Sequence, residues 1–154
     1  MAIVIEAPNE TYSLQNNRNQ KLFIAGGITN CPEWQLELID MLMPVVDLTI
    51  FNPRRKNFPI NDPSAAEEQI VWEYNKLKES NLISFWFSAG SLNPITLYEL
   101  GKHGNSSKKQ IFVGCDKNYE RKYDVVIQTH LARPEIEIVY SIKDLALQII
   151  DIVE

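Results

Sequence analysis

An almost wholly apolar run, Leu82-Ile83-Ser84-Phe85-Trp86-Phe87, most limits what this chain can fold into. Side chains on both sides of this run are apolar, which is typical of a strand covered on its two faces in a parallel sheet. Strand and helix patterns alternate along the rest of the chain, as the crossover connections of a parallel sheet require. The sequence therefore predicts an α/β protein with a doubly wound, mainly parallel sheet of five strands and helices on both faces.

Apolar runs bounded by turn residues mark the strands, and capping residues mark the helices. Asn30 is the predicted cap of the first helix, and Asp62-Pro63 is predicted to open the second. Residues 1–20 are predicted to be a flexible lead-in to a single domain at residues 21–154. The predicted strands are residues 21–25, 45–51, 82–87, 110–114 and 136–140, and the predicted helices are residues 32–43, 62–80, 94–104 and 142–153.

The charge balance is acidic, with 15 Lys and Arg against 20 Asp and Glu in 154 residues, a formal net charge of −5. This balance argues against binding to a nucleic acid polymer, which relies on cationic side chains, but it is compatible with a neutral nucleoside or base. No apolar run approaches the roughly 18 residues of a membrane helix. The first eight residues are too short and too acidic for a signal peptide, so the expected location is cytoplasmic.

The cysteines and histidines narrow the kinds of site further. Neither Cys31 and Cys115 nor His103 and His130 have the spacing of metal ligands. The chain also has neither the Gly-x-Ser-x-Gly turn of Ser hydrolases nor a phosphate-binding Walker loop. We therefore expect chemistry based on carboxylates, with no metal and no other cofactor.

The crevice of a doubly wound sheet lies outside the carboxyl ends of its strands, and ligands bind there. Those ends are followed here by Gly26-Gly27, by residues 52–56 and by residues 88–93. The cations at residues 54–56 could hold a phosphate, or they could belong to a solvated loop. The candidate contact residues in these segments are Gly26, Gly27, Asn52, Arg54, Arg55 and Ser88.

Two acids occupy unusual positions in the predicted helices. Glu73 falls on the apolar stripe formed by Ala66, Ile70 and Leu77, and apolar residues closely flank Glu99. Both positions suit functional carboxylates. They also fit a second interpretation, in which Glu73 turns out to solvent at the edge of the stripe and Glu99 pairs with a lysine.

Asn93 and Trp72 also fit two roles each. Asn93 suits the N-cap of the helix that opens at Pro94, and the same position can face the crevice. Trp72 could stack on a nucleobase, although its helical spacing is equally typical of a core residue.

Five segments between residues 22 and 104 carry a family resemblance when they are read in order. The segments are Phe23-Ile24-Ala25-Gly26-Gly27, Asn52-Pro53-Arg54-Arg55, Gln69-x-x-Trp72-Glu73, Phe85-Trp86-Phe87 and Pro94-Ile95-Thr96-Leu97-Tyr98-Glu99-Leu100-Gly101. With these motifs the chain resembles the nucleoside 2-deoxyribosyltransferases, and in particular a divergent branch with Asn-Pro-Arg-Arg and Trp-Glu motifs.

The resemblance implies a flavodoxin-like fold and roles for several residues. Glu99 of the Glu-Leu-Gly motif is the implied nucleophile, and Glu73, 26 residues earlier, is the implied partner of the base. Asn93 stands where the family has an Asp that binds sugar hydroxyls, so strict selection of 2-deoxy sugars is not expected. Phe23 matches a family aromatic residue of the first strand but lacks its hydroxyl group.

The implied activity is exchange of the base of a 2′-deoxyribonucleoside, or of a ribonucleoside, for another purine or pyrimidine through a covalent glycosyl-Glu99. Nucleosides and free nucleobases are therefore the implied partners. Two alternatives remain open. One is hydrolysis of a nucleoside or its 5′-monophosphate, with Arg54, Arg55, Ser88 and Ser91 holding the phosphate, and the other is a non-catalytic nucleotide-binding module.

The resemblance also implies a homo-oligomer, built from a dimer unit and often hexameric, in which a neighbouring subunit completes each site. Gln128 and Glu154 are the candidates for that contribution.

Overall fold

The computed structural model describes residues 1–10 and 20–154, in which strands and helices alternate for most of the chain. The elements in chain order are β1 (Ile3–Glu6), β2 (Gln20–Gly26), α1 (Trp34–Leu42), β3 (Leu48–Asn52), α2 (Pro63–Glu79), β4 (Leu82–Phe87), α3 (Pro94–His103), β5 (Gln110–Cys115), α4 (Lys122–Ala132) and α5 (Ile142–Val153). None of the helices in these residues is long and apolar enough to cross a membrane.

The sheet is parallel throughout, with the strand order β1-β3-β2-β4-β5. The chain runs from β2 outward to β3 and then crosses back over β2 to reach β4. The connections that follow β2 and β4 therefore leave toward opposite faces, which opens a crevice at the carboxyl ends of these two neighbouring strands. This topology confirms the predicted doubly wound, flavodoxin-like fold.

Two apolar layers fill the space between the sheet and its helices. Leu82 and Trp86 of β4 pack with α1 and α5 on one face. The residues between them in the strand, Ile83 and Phe85, pack with α2, α3 and α4 on the other face. All six side chains of β4 are buried, which explains why this strand reads as a continuous apolar run.

The N-terminal edge of the sheet differs from the prediction. Ile3–Glu6 pairs with β3 as strand β1, so this part of the predicted lead-in belongs to the sheet. Val4 is exposed and Ile5 is buried, a pattern too short to be distinguished in the sequence from a polar terminus. Residues 11–19 of the predicted lead-in lie outside the described residues.

The predicted fifth strand at residues 136–140 is wrong. Only Val139 bridges to the sheet, with hydrogen bonds of 2.9 Å from Cys115 N to Val139 O and of 3.2 Å from Val139 N to Val113 O. Ile136 and Ile138 pack against one apolar layer, and Val139 packs against the other. This alternating burial gives the segment its strand-like pattern without a strand's ladder of hydrogen bonds.

Helix α4 was not predicted, because its apolar side chains do not face the core. Tyr123, Ile127 and Leu131 are exposed, while Val125 and Thr129 are buried. A helix with this arrangement has no apolar stripe that a pattern search could find.

Several predicted boundaries also shift. Helix α1 begins at Trp34 and is not capped by Asn30, which has a left-handed φ of 59°. Strand β3 begins at Leu48 rather than at Val45. The start of α2 is as predicted, with the Asp62 carboxylate accepting a hydrogen bond from Ser64 N at 3.0 Å.

Candidate active site

The crevice between β2 and β4 is built around two glycines that side chains approach closely. A Cβ atom at Gly26 would overlap the Trp34 ring, and a Cβ atom at Gly27 would overlap Asn93 Oδ1 and approach Cys31 Sγ to 2.5 Å. The Gly27 carbonyl accepts hydrogen bonds from Trp34 Nε1 at 2.9 Å and from Gln35 Nε2 at 3.3 Å. These glycines therefore let the loop after β2 lie directly against its neighbours.

Gly27→Ala is expected to destabilise the protein by about 2 kcal/mol or more, because the new methyl group overlaps buried side-chain atoms on both sides. Gly101→Ala is the matched control, since no atom lies within 4 Å of a Cβ at this helical position. Alanine in the interior of a helix should gain about 0.5–1 kcal/mol over glycine. Urea titrations of the two variants check the difference, and equal stabilities would show that Gly27 is not closely packed.

Asn93 closes the other side of the crevice. Its Nδ2 donates hydrogen bonds to Ser88 O at 3.1 Å and to Ser91 O at 3.0 Å, and its Oδ1 lies 3.5 Å from Cys31 Sγ. Asn93 occupies the predicted N-cap position of α3, but its side chain makes no hydrogen bond to the α3 N-terminus. Asn93 has a left-handed φ of 50° and is 3% exposed, and it braces the loop that follows β4.

Asn93→Asp is expected to cost about 1–3 kcal/mol of stability, because a carboxylate cannot donate to the carbonyls of Ser88 and Ser91. Asn57→Asp, at an exposed position, adds the same charge without this loss. Thermal melts of the two variants at pH 7 check the prediction. A melting temperature equally unchanged in both variants would contradict it.

Glu73 lies on the inner side of α2, where Trp72 and Leu77 are buried. The predicted stripe that led to Glu73 is wrong in two members, since Ala66 is exposed and Ile70 is 66% exposed. The buried face of α2 runs instead through Ala65 and Trp72, which come one residue before Ala66 and Glu73 in the chain. Glu73 is at its edge, with its side chain intermediate in exposure.

Glu99 is 8% exposed and shares the buried side of α3 with Thr96. Helix α3 packs on β2 and β4, the two strands that form the crevice. Of the two interpretations that the sequence left open for Glu99, this burial favours a carboxylate that faces inward. The competing interpretation of a partly exposed Glu does not fit this burial.

Burial raises the pKa of both carboxyl groups. Desolvation raises the pKa of Glu73 to about 7, against a weaker opposing effect of a hydrogen bond from Gln69. Desolvation, and then repulsion by the Glu73 carboxylate, raise the pKa of Glu99 to about 8, while the Lys102 ammonium lowers it. The two groups are thus close enough to repel, and near neutral pH they hold about one proton between them. Such a pair can supply one carboxylate and one acid.

A family described as nucleoside 2-deoxyribosyltransferase like matches residues 19–119. The chain belongs to this family. The match covers Glu73 and Glu99 and ends before α4. No curated protein matches the chain significantly.

Membership of the nucleoside 2-deoxyribosyltransferase-like family indicates a transferase-like enzyme whose substrates are nucleosides and nucleobases. The resemblance in the sequence motifs is therefore confirmed at the level of the family. It extends over the crevice glycines, both acids and the helix that carries Glu99.

The guanidinium of Arg54 binds the loop that follows β2. Its Nη1 donates to Pro32 O at 2.7 Å and to Gln35 Oε1 at 3.0 Å, and its Nη2 donates to Cys31 O at 3.1 Å. The Asn52 side chain is also engaged, since its Oδ1 accepts from Arg54 N at 3.0 Å. The Asn-Pro-Arg-Arg motif of this family member thus ties the end of β3 to the loop after β2.

Arg55 has a different environment. Its guanidinium lies 5.1 Å from the Phe58 ring centre, and Nη1 is 3.6 Å from Glu68 Oε1. The same Nη1 is buried without a hydrogen-bond partner among the described residues. Arg55 therefore has a buried donor that is left without an acceptor among the described residues.

Phe23 and Trp72 belong to the apolar core. Phe23 is 0% exposed, and its ring centre lies 6.2 Å from that of Trp72. Trp72 also packs edge-on against Phe51, and its Nε1 donates to Asn9 O at 2.7 Å. The core interpretation therefore describes both aromatic residues better than contact with a base.

Ser88 lies at the carboxyl edge of the sheet, in a groove that Trp34, Trp86 and Tyr140 also line on the α1 and α5 face. It is buried, and its Oγ has no hydrogen-bond partner among the described residues. Ser91 lies in the same loop, where its Oγ accepts from Asn93 N at 3.4 Å.

Gln128 and Glu154, the candidates for contact with a neighbouring subunit, are both exposed. Gln128 is exposed on α4 and lines a cleft between α3 and α4. Glu154 is exposed beyond the end of α5, a helix that begins in the groove at the carboxyl edge and runs back from it. Their contribution to a neighbouring subunit stays a prediction.

Gln69 is a polar residue of the site that belongs to one of the family motifs, but the sequence analysis assigned it no role. Its Nε2 donates to Pro53 O at 2.7 Å, which fixes the amide orientation, and its side-chain hydrogen bond lowers the pKa of Glu73. Its position four residues before Glu73, one helical turn away, is the signal that could have identified it.

Proposed function

We propose that the protein is a nucleoside (2-deoxy)ribosyltransferase that exchanges the base of a 2′-deoxyribonucleoside for another purine or pyrimidine base. The observation that carries this proposal is the pair Glu73 and Glu99, two largely buried carboxyl groups that share a proton near neutral pH. Breaking an N-glycosidic bond requires a nucleophile at the anomeric carbon and a proton or hydrogen bond for the departing base, and such a pair provides both.

In the proposed mechanism, the Glu99 carboxylate attacks the anomeric carbon as the bond to the base breaks. Glu73 gives its proton to the base, and the sugar is held as an ester of Glu99. A second base then attacks the same carbon, its proton passes to Glu73, and the Glu99 carboxylate is released. Two displacements at one carbon give net retention of configuration.

The reactive form has the shared proton on Glu73 and the charge on Glu99. The Glu73 carboxylate is one of the groups that raise the pKa of Glu99, so a proton on Glu73 removes this repulsion and makes ionisation of Glu99 easier. Positive charge that develops on the sugar beside Glu99 would favour the reactive form further.

Sugar selection in this proposal is broad. The neutral Asn93 stands where the resemblance expects a carboxylate, and its amide hydrogen bonds hold the loop at the crevice. Ribonucleosides are therefore proposed as substrates beside 2′-deoxyribonucleosides.

A homo-oligomer is part of the same proposal, with a neighbouring subunit completing each site. Large apolar side chains on the outer faces of three helices support it, because single copies rarely expose several of them together. These residues are Ile70, Ile95, Tyr98, Ile127 and Leu131. Light scattering during gel filtration measures the assembly, and a single copy at micromolar concentration would contradict this part of the proposal.

The test is chromatography of the protein with deoxyinosine, with and without adenine as the acceptor, and in parallel with inosine and deoxyinosine 5′-monophosphate. The proposal expects deoxyadenosine only when adenine is present, with little free sugar. Glu67→Gln, on the exposed side of α2, serves as the active control, and Glu99→Gln serves as the inactive one.

Two other outcomes separate the alternatives. Free sugar released at one rate with or without adenine would identify an N-glycosidase. For the 5′-monophosphate version of that reaction, the unpartnered Nη1 of Arg55 favours this residue for binding the phosphate, whereas Arg54 already donates three hydrogen bonds to the neighbouring loop. No turnover of any substrate would leave the non-catalytic binding module.

A further inference from the structure

Lys102 and Tyr74 join the two helices that carry the acidic pair. Lys102 Nζ lies 4.5 Å from the centre of the Tyr74 ring, a cation–π contact between α3 and α2. Tyr74 directly follows Glu73, and Lys102 comes three residues after Glu99, within one helical turn of it. The contact therefore places a cation beside the pair and ties that cation to the helix of the other acid.

Among the charged groups near Glu99 in the described residues, one cation stabilises its carboxylate. On α2, Glu73 repels it, whereas Lys76 is paired with Glu10 and Glu79. On β2, Lys21 is paired with Glu79 as well. On α3, burial and then the ammonium groups of Lys102 and Lys109 lower the pKa of His103. Among the described residues, Lys102 is the only cation that lowers the pKa of Glu99.

The proposed reaction needs Glu99 charged, while its burial and the Glu73 carboxylate both favour the neutral form. We propose that Lys102, held over the Tyr74 ring, is a positioning residue that keeps Glu99 ionised for attack on the sugar, an inference that rests on the proposed function. A lysine on an exposed helix face has a mobile side chain, and contact with a fixed ring restricts it to the neighbourhood of the pair.

A titration of Glu99 by carbon NMR tests the inference without any substrate, with Glu99→Gln used to assign the resonance. Lys102→Met should raise the pKa of Glu99 by about 0.5–1 unit, and Lys102→Arg should restore most of the original value. Lys78→Met is the matched control, because it removes one exposed charge from α2 at a position with no such contact.

The ring has its own pair of variants. Tyr74→Leu should shift the Glu99 titration in the same direction as Lys102→Met but by less, since the lysine remains without its anchor. Tyr74→Phe keeps the aromatic face and should titrate as the unmodified protein does.

The pH profile of base exchange gives the second readout. Raising the pKa of Glu99 lowers its charged fraction only below that pKa. Lys102→Met should therefore reduce kcat/KM three- to tenfold at pH 6, since one pKa unit is a factor of ten. The ratio between variant and unmodified protein should rise toward one as the pH increases above the raised pKa of Glu99, because Glu99 then becomes charged in both.

Three results would overturn the inference. An unchanged Glu99 titration in Lys102→Met would remove the electrostatic role, and an equal shift in Lys78→Met would make it an effect of net charge. An activity loss independent of pH would assign Lys102 a structural role. If the titration shifts as expected but no nucleoside is turned over, the proposed function fails, and the catalytic purpose of the contact fails with it.

Discussion

We expect Glu99→Gln to abolish base exchange. The variant should lower kcat by more than about a thousandfold, while the substrate still binds. The amide cannot form the glycosyl ester, and loss of an enzyme nucleophile commonly costs this much or more. The measurement is a chromatographic rate with deoxyinosine and adenine, combined with calorimetric binding of deoxyinosine. Mass spectrometry of the unmodified protein after rapid quenching should find one added deoxyribosyl group, which the variant lacks.

The same substitution should stabilise the protein at alkaline pH. Glu99 has a pKa of about 8 in the folded protein and 4.5 as its ordinary value, so the folded state holds the proton more tightly than the unfolded chain. Stability of the unmodified protein is therefore undiminished below about pH 4.5 and falls as the pH rises toward 8. Glutamine does not ionise and avoids that fall.

The expected gain of Glu99→Gln is close to zero at pH 4.5 and about 2–4 kcal/mol at pH 9. A pKa unit is worth about 1.4 kcal/mol, and relaxation around the buried carboxylate reduces the total. Urea titrations at the two pH values measure it, with Glu67→Gln as the exposed control. Near-normal exchange by Glu99→Gln would remove this residue from the mechanism, and a gain independent of pH would show that Glu99 is not strained by its charge.

Glu73→Gln should lower kcat about a hundredfold or more and change KM little. Glutamine can donate a hydrogen bond to the departing base but cannot give it a proton, and general acids typically contribute 10²–10⁴-fold. A 4-nitrophenyl 2-deoxyriboside has a leaving group that needs no proton. Its hydrolysis should therefore be much less affected than the exchange of natural bases.

The pH profile of Glu73→Gln provides the sharper signature. The unmodified protein should show a bell-shaped kcat/KM, because Glu99 must be charged and Glu73 must be protonated. Glu73→Gln should lose the alkaline limb, since that limb reports ionisation of Glu73. Its acid limb should remain, because Glu99 must still be charged. A profile that keeps both limbs would return Glu73 to a structural role.

The two acids show how far sequence reasoning reaches at this site. Glu99 was found because it lies among apolar residues, and it is buried in the structure. Glu73 was found from a stripe that included Ile70, yet that residue is exposed and the true buried face lies one position away. Neighbouring residues of a helix point about 100° apart, so Glu73, which the predicted stripe included, lies at the edge of the true buried face.

Residues with long or adaptable side chains were less predictable. The sequence cannot distinguish an Arg54 that binds a phosphate from one that binds a neighbouring loop. The path of residues 27–35 places three hydrogen-bond acceptors beside its guanidinium. Phe23 belongs to the strand that leads into the crevice, but its side chain points to the face of the sheet where it packs against Trp72 in the core. Such assignments depend on partners distant in the sequence.

The sequence by itself determined the α/β class and four of the five strands, and it drew attention to the two acids, because apolar runs and the turn residues that bound them are local properties of the residue order. Only the tertiary structure decided the strand at Ile3–Glu6, the absence of one at residues 136–140 and the coupling of Glu73 with Glu99. Pairing in a parallel sheet and the pKa of a buried acid depend on groups that are far apart in the chain. The physical reason is that hydrogen-bond ladders and desolvation are set by neighbours in space.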